Sequence, residues 1–241
     1  MSPPRSGRSK RRWRSTTTRG LTAAAERAGL ADPVPGWVRA GGLAGLLGPV
    51  AFTLAWIAAS LRQPGLSATA VQISGLAGDN ARDPWIMITG FLLLGAGAVA
   101  FGAALRRALG GQARAGLGPT AIQIAGVLVI AAGLLRRDHA LLTAGPQSWH
   151  NQAHNVVSAE AYVLMIAAPV LLARRFRPDR HWSGLAAPLL AASAISAALL
   201  VAFYSAPEES WDGLVQRIAV TLPLAALAAV GARLCLSSAE R

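Results

Sequence analysis

The stretch Trp85–Leu105, WIMITGFLLLGAGAVAFGAAL, decides the fold of this chain. It runs for 21 residues without a single Asp, Glu, Lys or Arg. An apolar run of about 18–20 residues is long enough to cross the hydrocarbon core of a bilayer as a helix. A helix is required because lipid offers no hydrogen-bond partners to backbone polar groups. The stretch therefore predicts a membrane-spanning helix.

Five further apolar runs of similar length flank this stretch. They are Val38–Leu61, Leu117–Leu135, Val156–Ala173, Ser183–Tyr204 and Leu214–Leu236. Together the six runs predict an all-α fold, a polytopic membrane bundle of six transmembrane helices over residues 37–237. Residues 1–36 are rich in Arg, Ser, Thr and Pro and have no long apolar periodicity, so they are predicted to be a disordered basic tail.

The distribution of charge predicts the topology. The 241-residue chain has a formal net charge of +12 and 23 Lys and Arg residues. Eighteen of these lie in the tail or in segments that the six-helix arrangement places on the tail's side of the membrane. Because Lys and Arg accumulate on the cytoplasmic side, both termini are predicted to be cytoplasmic. We expect a multi-pass protein of the plasma membrane.

Composition also limits the partners. The basic residues of the tail lie beside apolar spans, so membrane lipids are the expected partners and no nucleic acid is expected. The single cysteine, Cys235, excludes an internal disulfide and any zinc site built from several cysteines. The bias toward Ala, Gly, Leu and Arg is typical of a bacterial genome rich in G and C.

The connections on the side opposite the tail hold the residues that could carry chemistry. Six acidic residues lie on that side: Asp79, Asp83, Asp138, Glu208, Glu209 and Asp212. The longest connection, 62–84, contains a run of small and polar residues at 67–74 that predicts a short helix lying on the membrane. His150 and His154 are four residues apart at the start of the fourth predicted helix, which places both imidazoles on one helix face. With Asp138 or His139 as a third ligand they could bind one zinc ion. The alternative is a hydrogen-bonding role at the level of the lipid headgroups.

Two further ionisable residues fall inside predicted spans. Glu160 lies about 9 Å deeper than His154 at the α-helical rise, and Arg217 lies at a similar depth in the sixth helix. A charge at this depth is costly and usually faces the bundle interior with a partner. We therefore predict an ion pair between Glu160 and Arg217. The predicted outward polar pocket consists of Asp138, His139, His150, His154, Glu160 and Arg217.

Several short motifs resemble a family of bacterial six-helix membrane proteins catalogued as domain of unknown function 998. The motifs are Ile73–Leu76, Trp85–Met87 with Gly90-Phe91, Gly133 followed by Asp138, the His150/His154 pair and Gly213–Ile218. The resemblance extends over about residues 40–236. It implies that Asp138, His150, His154 and Arg217 belong together on the outer face, and it implies no particular activity.

Three functions are compatible with these patterns. The first is a non-catalytic membrane protein that binds a lipid or a partner through the outward polar pocket. The second is a metal-dependent hydrolase of a lipid amide or ester, since the HxxxH pair also resembles the zinc ligands of ceramidase-type and adiponectin-receptor-type membrane hydrolases. Those proteins, however, have seven helices and a ligand on an early helix that this chain lacks. The third is a proton-coupled transporter of a small solute that uses Glu160.

Overall fold

The computed structural model describes residues 35–110, 116–139, 146–205 and 210–237. Within these ranges the chain forms six long α-helices, two short 3-10 helices and no β-strand. The long helices are α1 (Gly36–Leu61), α2 (Trp85–Ala108), α3 (Leu117–Leu134), α4 (Trp149–Phe176), α5 (Ala186–Ser205) and α6 (Asp212–Ser237). The 3-10 helices, Ile73–Ala77 and Ser183–Leu185, lie before α2 and α5.

All six helices are long and apolar enough to cross a membrane, which confirms the predicted number of spans in the described part of the chain. The chain thus has the architecture of a multi-pass membrane protein. The apolar run of α4 begins at Val156, but the helix itself begins at Trp149, so His150 and His154 lie at its start as predicted. Ser148 explains this start, because its side-chain oxygen accepts a hydrogen bond from the backbone of Asn151 and caps the helix. The cap extends the helix through the polar residues that precede the apolar run.

The helices form a closed ring. Each helix packs against its neighbours in sequence, and α6 packs against α1. We call the end at which α1 begins and α6 ends the basal end, and the opposite end the distal end. The basal half is filled by a tightly packed apolar core that includes Phe101, Leu172, Phe176 and Leu189. A second apolar core fills the distal half and brings together α1, α2, α3, α4 and α6.

The predicted basic tail lies almost entirely outside the described residues, which begin at Pro35. Its disorder therefore stays a prediction. The cytoplasmic location of the basal end likewise rests on the distribution of Lys and Arg.

Candidate functional site

The connection between α1 and α2 folds into the distal end of the bundle. All eight residues 71–78 are buried, and we call them the plug segment. The side chains of Val71, Ile73 and Leu76 pack into the distal apolar core. The predicted helix on the membrane surface is therefore wrong. Its apolar residues are buried by the surrounding helices, and its short 3-10 helix begins only at Ile73.

Polar side chains from other segments satisfy the backbone of the plug segment. Gln216 of α6 accepts a hydrogen bond from the amide of Ile73 at 2.6 Å, and its amide group donates to the Tyr162 hydroxyl at 2.8 Å. Arg136 donates to the carbonyl oxygens of Ala77 and Gly78, both at 3.2 Å. Irregular backbone is tolerated at membrane depth only where protein groups satisfy it in this way.

Arg217, the neighbour of Gln216, makes another buried contact between α6 and the plug segment. Its side chain is 6% exposed, and Nη1 donates to the carbonyl oxygen of Val71 at 2.7 Å. Nη2 donates to the Ser60 hydroxyl at 3.1 Å, and the guanidinium lies 5.2 Å from the centre of the Trp56 ring. Gly213, one turn earlier, allows this close approach. A Cβ atom there would lie less than 3.0 Å from the carbonyl oxygens of Thr69 and Val71.

A second buried arginine holds the plug segment from the other side. Arg137 is 4% exposed and donates to Oε1 of Gln72 at 2.8 Å. Burial lowers the pKa of Arg137 from its ordinary value, but arginine is so basic that the group stays charged at neutral pH. The hydrogen-bond partners of both arginines are neutral groups, so their charges serve to bind backbone and amide oxygens.

The predicted ion pair between Glu160 and Arg217 is wrong. Glu160 lies on the exposed face of α4, whereas Arg217 points toward α1 and the plug segment. Neither residue takes part in the ion pairs of the described ranges. The physical reason is that the guanidinium instead donates to the carbonyl oxygen of Val71 in the plug segment and to the hydroxyl of Ser60 in α1.

The predicted metal ligands Asp138 and His150 do come together. Asp138 accepts hydrogen bonds from the Ser148 amide at 2.8 Å and from the Ser148 hydroxyl at 2.5 Å. These bonds, first that of the hydroxyl, lower the pKa of Asp138, so the carboxylate is ionised at neutral pH. Nδ1 of His150 lies 3.7 Å from Oδ1 of Asp138 and 2.9 Å from the carbonyl oxygen of Arg136.

The third member of the cluster is Asp79, which sequence reasoning missed as a ligand. One ligand atom from each of Asp79, Asp138 and His150 can be chosen so that all lie within 4.8 Å of one another. Asp79 follows the plug segment directly, and its amide donates to the carbonyl oxygen of Arg137 at 3.0 Å. Its carboxylate also lies 3.1 Å from Nη2 of Arg136. The sequence signal was its place among the acidic residues on the same side of the membrane as Asp138.

His154 does not join this cluster, so the predicted set of His150, His154 and Asp138 is not the set that the structure brings together. Nδ1 of His154 lies 2.8 Å from the carbonyl oxygen of Ala132 and 2.7 Å from that of Leu135. These carbonyls lie at the C-terminus of α3, where helical partners are absent. His154 therefore caps α3 from inside the bundle, with only 2% of the residue exposed.

The remaining predicted pocket residue, His139, is exposed at the rim beside Asp138. The distal end thus contains two layers. The outer layer is the cluster of Asp79, Asp138 and His150, and the inner layer is the set of hydrogen bonds that fixes the plug segment.

Comparison with known families identifies one family for this chain. The family model described as protein of unknown function (DUF998) matches residues 46–233. The chain is a member of the DUF998 family. No curated protein and no solved structure matches it. The matched region of the DUF998 protein contains the plug segment, both buried arginines and all three members of the outer cluster, and it confirms the resemblance seen in the sequence motifs.

Proposed function

We propose that this DUF998 protein is an integral membrane protein that binds a divalent metal ion, zinc in the first instance, at its distal end. The observation that carries the proposal is the convergence of Asp79, Asp138 and His150 within 4.8 Å. Two carboxylates and an imidazole are ligands that zinc accepts, and three protein ligands leave a coordination position for water or another group.

The surroundings of the ligands support this assignment. A metal-bound histidine usually donates its other ring N–H to a carbonyl or a carboxylate. The carbonyl oxygen of Arg136 lies 2.9 Å from Nδ1 of His150, so it can orient the imidazole beside Asp138. Asp138 is oriented by two hydrogen bonds from Ser148. Asp79 would be shared between the metal and Arg136, whose positive charge opposes binding and favours a site of moderate affinity.

The role of such an ion is to bind a ligand at the membrane surface. The three ligands are partly or fully exposed, so the open side of the ion would face the lipid headgroups or the aqueous phase. A phosphate or carboxylate of a lipid or of a partner protein is the group expected to complete the coordination. The concentration of basic residues at the basal end supports an outward-facing distal end in the plasma membrane.

The test is metal analysis of the purified full-length protein in detergent. The protein is stripped with a chelator, titrated with Zn²⁺ and assayed by elemental analysis and by the shift of its thermal unfolding midpoint. We expect about one bound zinc ion per chain and a stabilised fold, because a ligand that binds only the folded state stabilises it by mass action. Asp79→Asn, Asp138→Asn and His150→Gln should each weaken zinc binding at least tenfold.

Two histidines provide matched controls. His181→Gln changes a histidine near the basal end and should leave zinc binding unchanged. His154→Gln distinguishes the ligand cluster of Asp79, Asp138 and His150 from the ligand set predicted from the sequence, because only the predicted set includes His154. Zinc lost in His154→Gln but retained in Asp79→Asn would contradict the proposed ligands. The absence of stoichiometric metal in the wild-type protein would overturn the metal proposal itself.

A hydrolase is the second candidate, favoured by the open coordination position. Zinc with three protein ligands and a bound water is the usual form of a catalytic site, in which the metal lowers the pKa of the water to about 7. Release of fatty acid from an amide- or ester-linked lipid, dependent on zinc and lost in His150→Gln, would support it. Zinc binding without such turnover would favour the ligand-binding role.

A proton-coupled transporter has less support. The basal half is an apolar core, and two cavities between the helices have volumes of only about 30 Å³ each. Glu160, the residue that such a mechanism would use, lies on the outer face of α4. No polar path toward the basal end is evident among the described residues.

A further inference from the structure

A groove between α1 and α6 lies on the apolar surface of the bundle and shares no residue with the distal metal cluster. Its volume is about 410 Å³. Its lining includes Leu46, Val50 and Leu54 of α1 and Ala225, Ala228 and Ala229 of α6. From Leu46 to Leu54 the groove follows α1 for about 12 Å at the α-helical rise. A groove of this length in the membrane-spanning region has the dimensions and the apolar lining for a lipid chain.

Two close contacts between the helices bound the groove. Toward the basal end, Gly42 and Gly231 let the backbones touch, and a Cβ atom at Gly231 would lie 2.8 Å from the carbonyl oxygen of Gly42. Toward the distal end, Arg217 of α6 reaches Ser60 of α1. Most of the α6 side chains that line the groove are alanines, which are too short to fill the space between the helices. The groove therefore exists because large side chains on α1 face small side chains on α6.

Arg39 lies at the basal end of the same helix face. It precedes Leu46 by seven residues and Val50 by eleven, spacings that place all three on one side of α1. Its Cα lies about 10 Å below that of Leu46 along the helix. The side chain of Arg39 is exposed, and its carbonyl oxygen accepts a hydrogen bond from Cys235 of α6, so it stands at the α1–α6 contact. A helical side chain points toward the N-terminus, which directs this guanidinium toward the basal headgroup layer.

We propose that an anionic phospholipid binds here, with one acyl chain in the groove and its phosphate beside Arg39. Charge complementarity selects this occupant, because an exposed cation at the membrane boundary directly below an apolar groove matches a lipid that carries a negative headgroup. Arginine binds phosphate oxygens through its planar set of N–H donors. The lipid would seal the α1–α6 contact, at which the first and last helices close the ring.

The test titrates delipidated full-length protein in detergent with phosphatidylglycerol or phosphatidylcholine and counts bound lipid by native mass spectrometry. We expect one tightly bound phosphatidylglycerol and weaker binding of phosphatidylcholine. Arg39→Gln should weaken phosphatidylglycerol binding about fivefold, the effect expected of one basic residue at a membrane surface. Its matched control, Arg174→Gln, removes an exposed arginine from the basal end of α4 and should leave the bound lipid in place.

The groove is tested by filling it. Ala229→Phe should remove the bound lipid of either kind, whereas Ala194→Phe, at an exposed position on α5, should not. Thermal unfolding of both variants establishes that they are folded. Equal phosphatidylglycerol binding by wild type, Arg39→Gln and Ala229→Phe would overturn the proposal. A lipid-free dimer that Ala229→Phe dissociates would also overturn it, since the groove would then hold a second copy of the chain.

Discussion

Replacement of Arg217 by Met tests whether the plug segment is held by α6. Methionine keeps much of the length and the apolar part of the side chain but removes the guanidinium. The substitution deletes the hydrogen bonds to Val71 and Ser60 and the contact with the Trp56 ring. It also leaves a buried carbonyl oxygen with one donor fewer.

The size of the effect follows from these contacts. Hydrogen bonds from charged donors contribute about 1.5–3 kcal/mol each, and a partly desolvated cation over a ring adds about 0.5–2 kcal/mol. Relief of the buried charge offsets part of this sum, and side-chain hydrogen bonds inside membrane proteins average only about 0.6 kcal/mol. We therefore expect a loss of about 3 kcal/mol in the free energy of unfolding, which is on the order of 100-fold in the equilibrium constant.

The assay is reversible unfolding in mixed micelles, combined with hydrogen exchange of the amides in residues 71–78. Arg217→Met should lower the free energy of unfolding and speed exchange of these amides. Glu160→Gln is the control and should change stability by less than about 0.5 kcal/mol, as for other exposed sites. Equal losses in the two variants, restored in the double variant, would revive the ion pair and refute this account of Arg217. A negligible effect of Arg217→Met would refute it as well.

Three further outcomes are expected. Gly213→Ala should destabilise the distal end and speed exchange of the plug amides, whereas Gly184→Ala, whose added Cβ meets open space, should leave both unchanged. His154→Leu should lower the free energy of unfolding by about 1–3 kcal/mol, because the carbonyls at the end of α3 lose their donor; unchanged stability would show that the cap contributes little. Cys235 should react with a membrane-impermeant maleimide only after cells are opened, and efficient labelling of intact cells would reverse the proposed orientation.

The number and positions of the helices could be predicted because membrane insertion depends on a property of contiguous sequence. Each span is a predominantly apolar run, and hydrophobicity summed over about 20 residues determines its insertion. Helix α4 is the helix that extends furthest beyond its apolar run. There a local cap at Ser148 extends the helix beyond its apolar part.

The distal site was only partly predictable, because its contacts join distant parts of the chain. The cost of a buried charge correctly indicated that Arg217 faces the interior, but it did not indicate the partner. Arg217 donates to neutral oxygens of Val71 and Ser60, whereas the sequence predicts a carboxylate as its partner. The spacing of His150 and His154 places both on one helix face, but it does not predict that their surroundings differ. One turn separates a partly exposed side chain from one that caps α3.

The position of the plug segment in the chain has a consequence for biogenesis. Residues 71–78 emerge from the ribosome between the first two spans, yet the groups that satisfy their backbone include Gln216 and Arg217, more than 140 residues later. A nascent chain with five helices inserted therefore still has unpaired amide and carbonyl groups at its distal end. The last span completes this end as well as closing the ring, so a chain truncated before α6 should be recognised by quality-control proteases as unfinished.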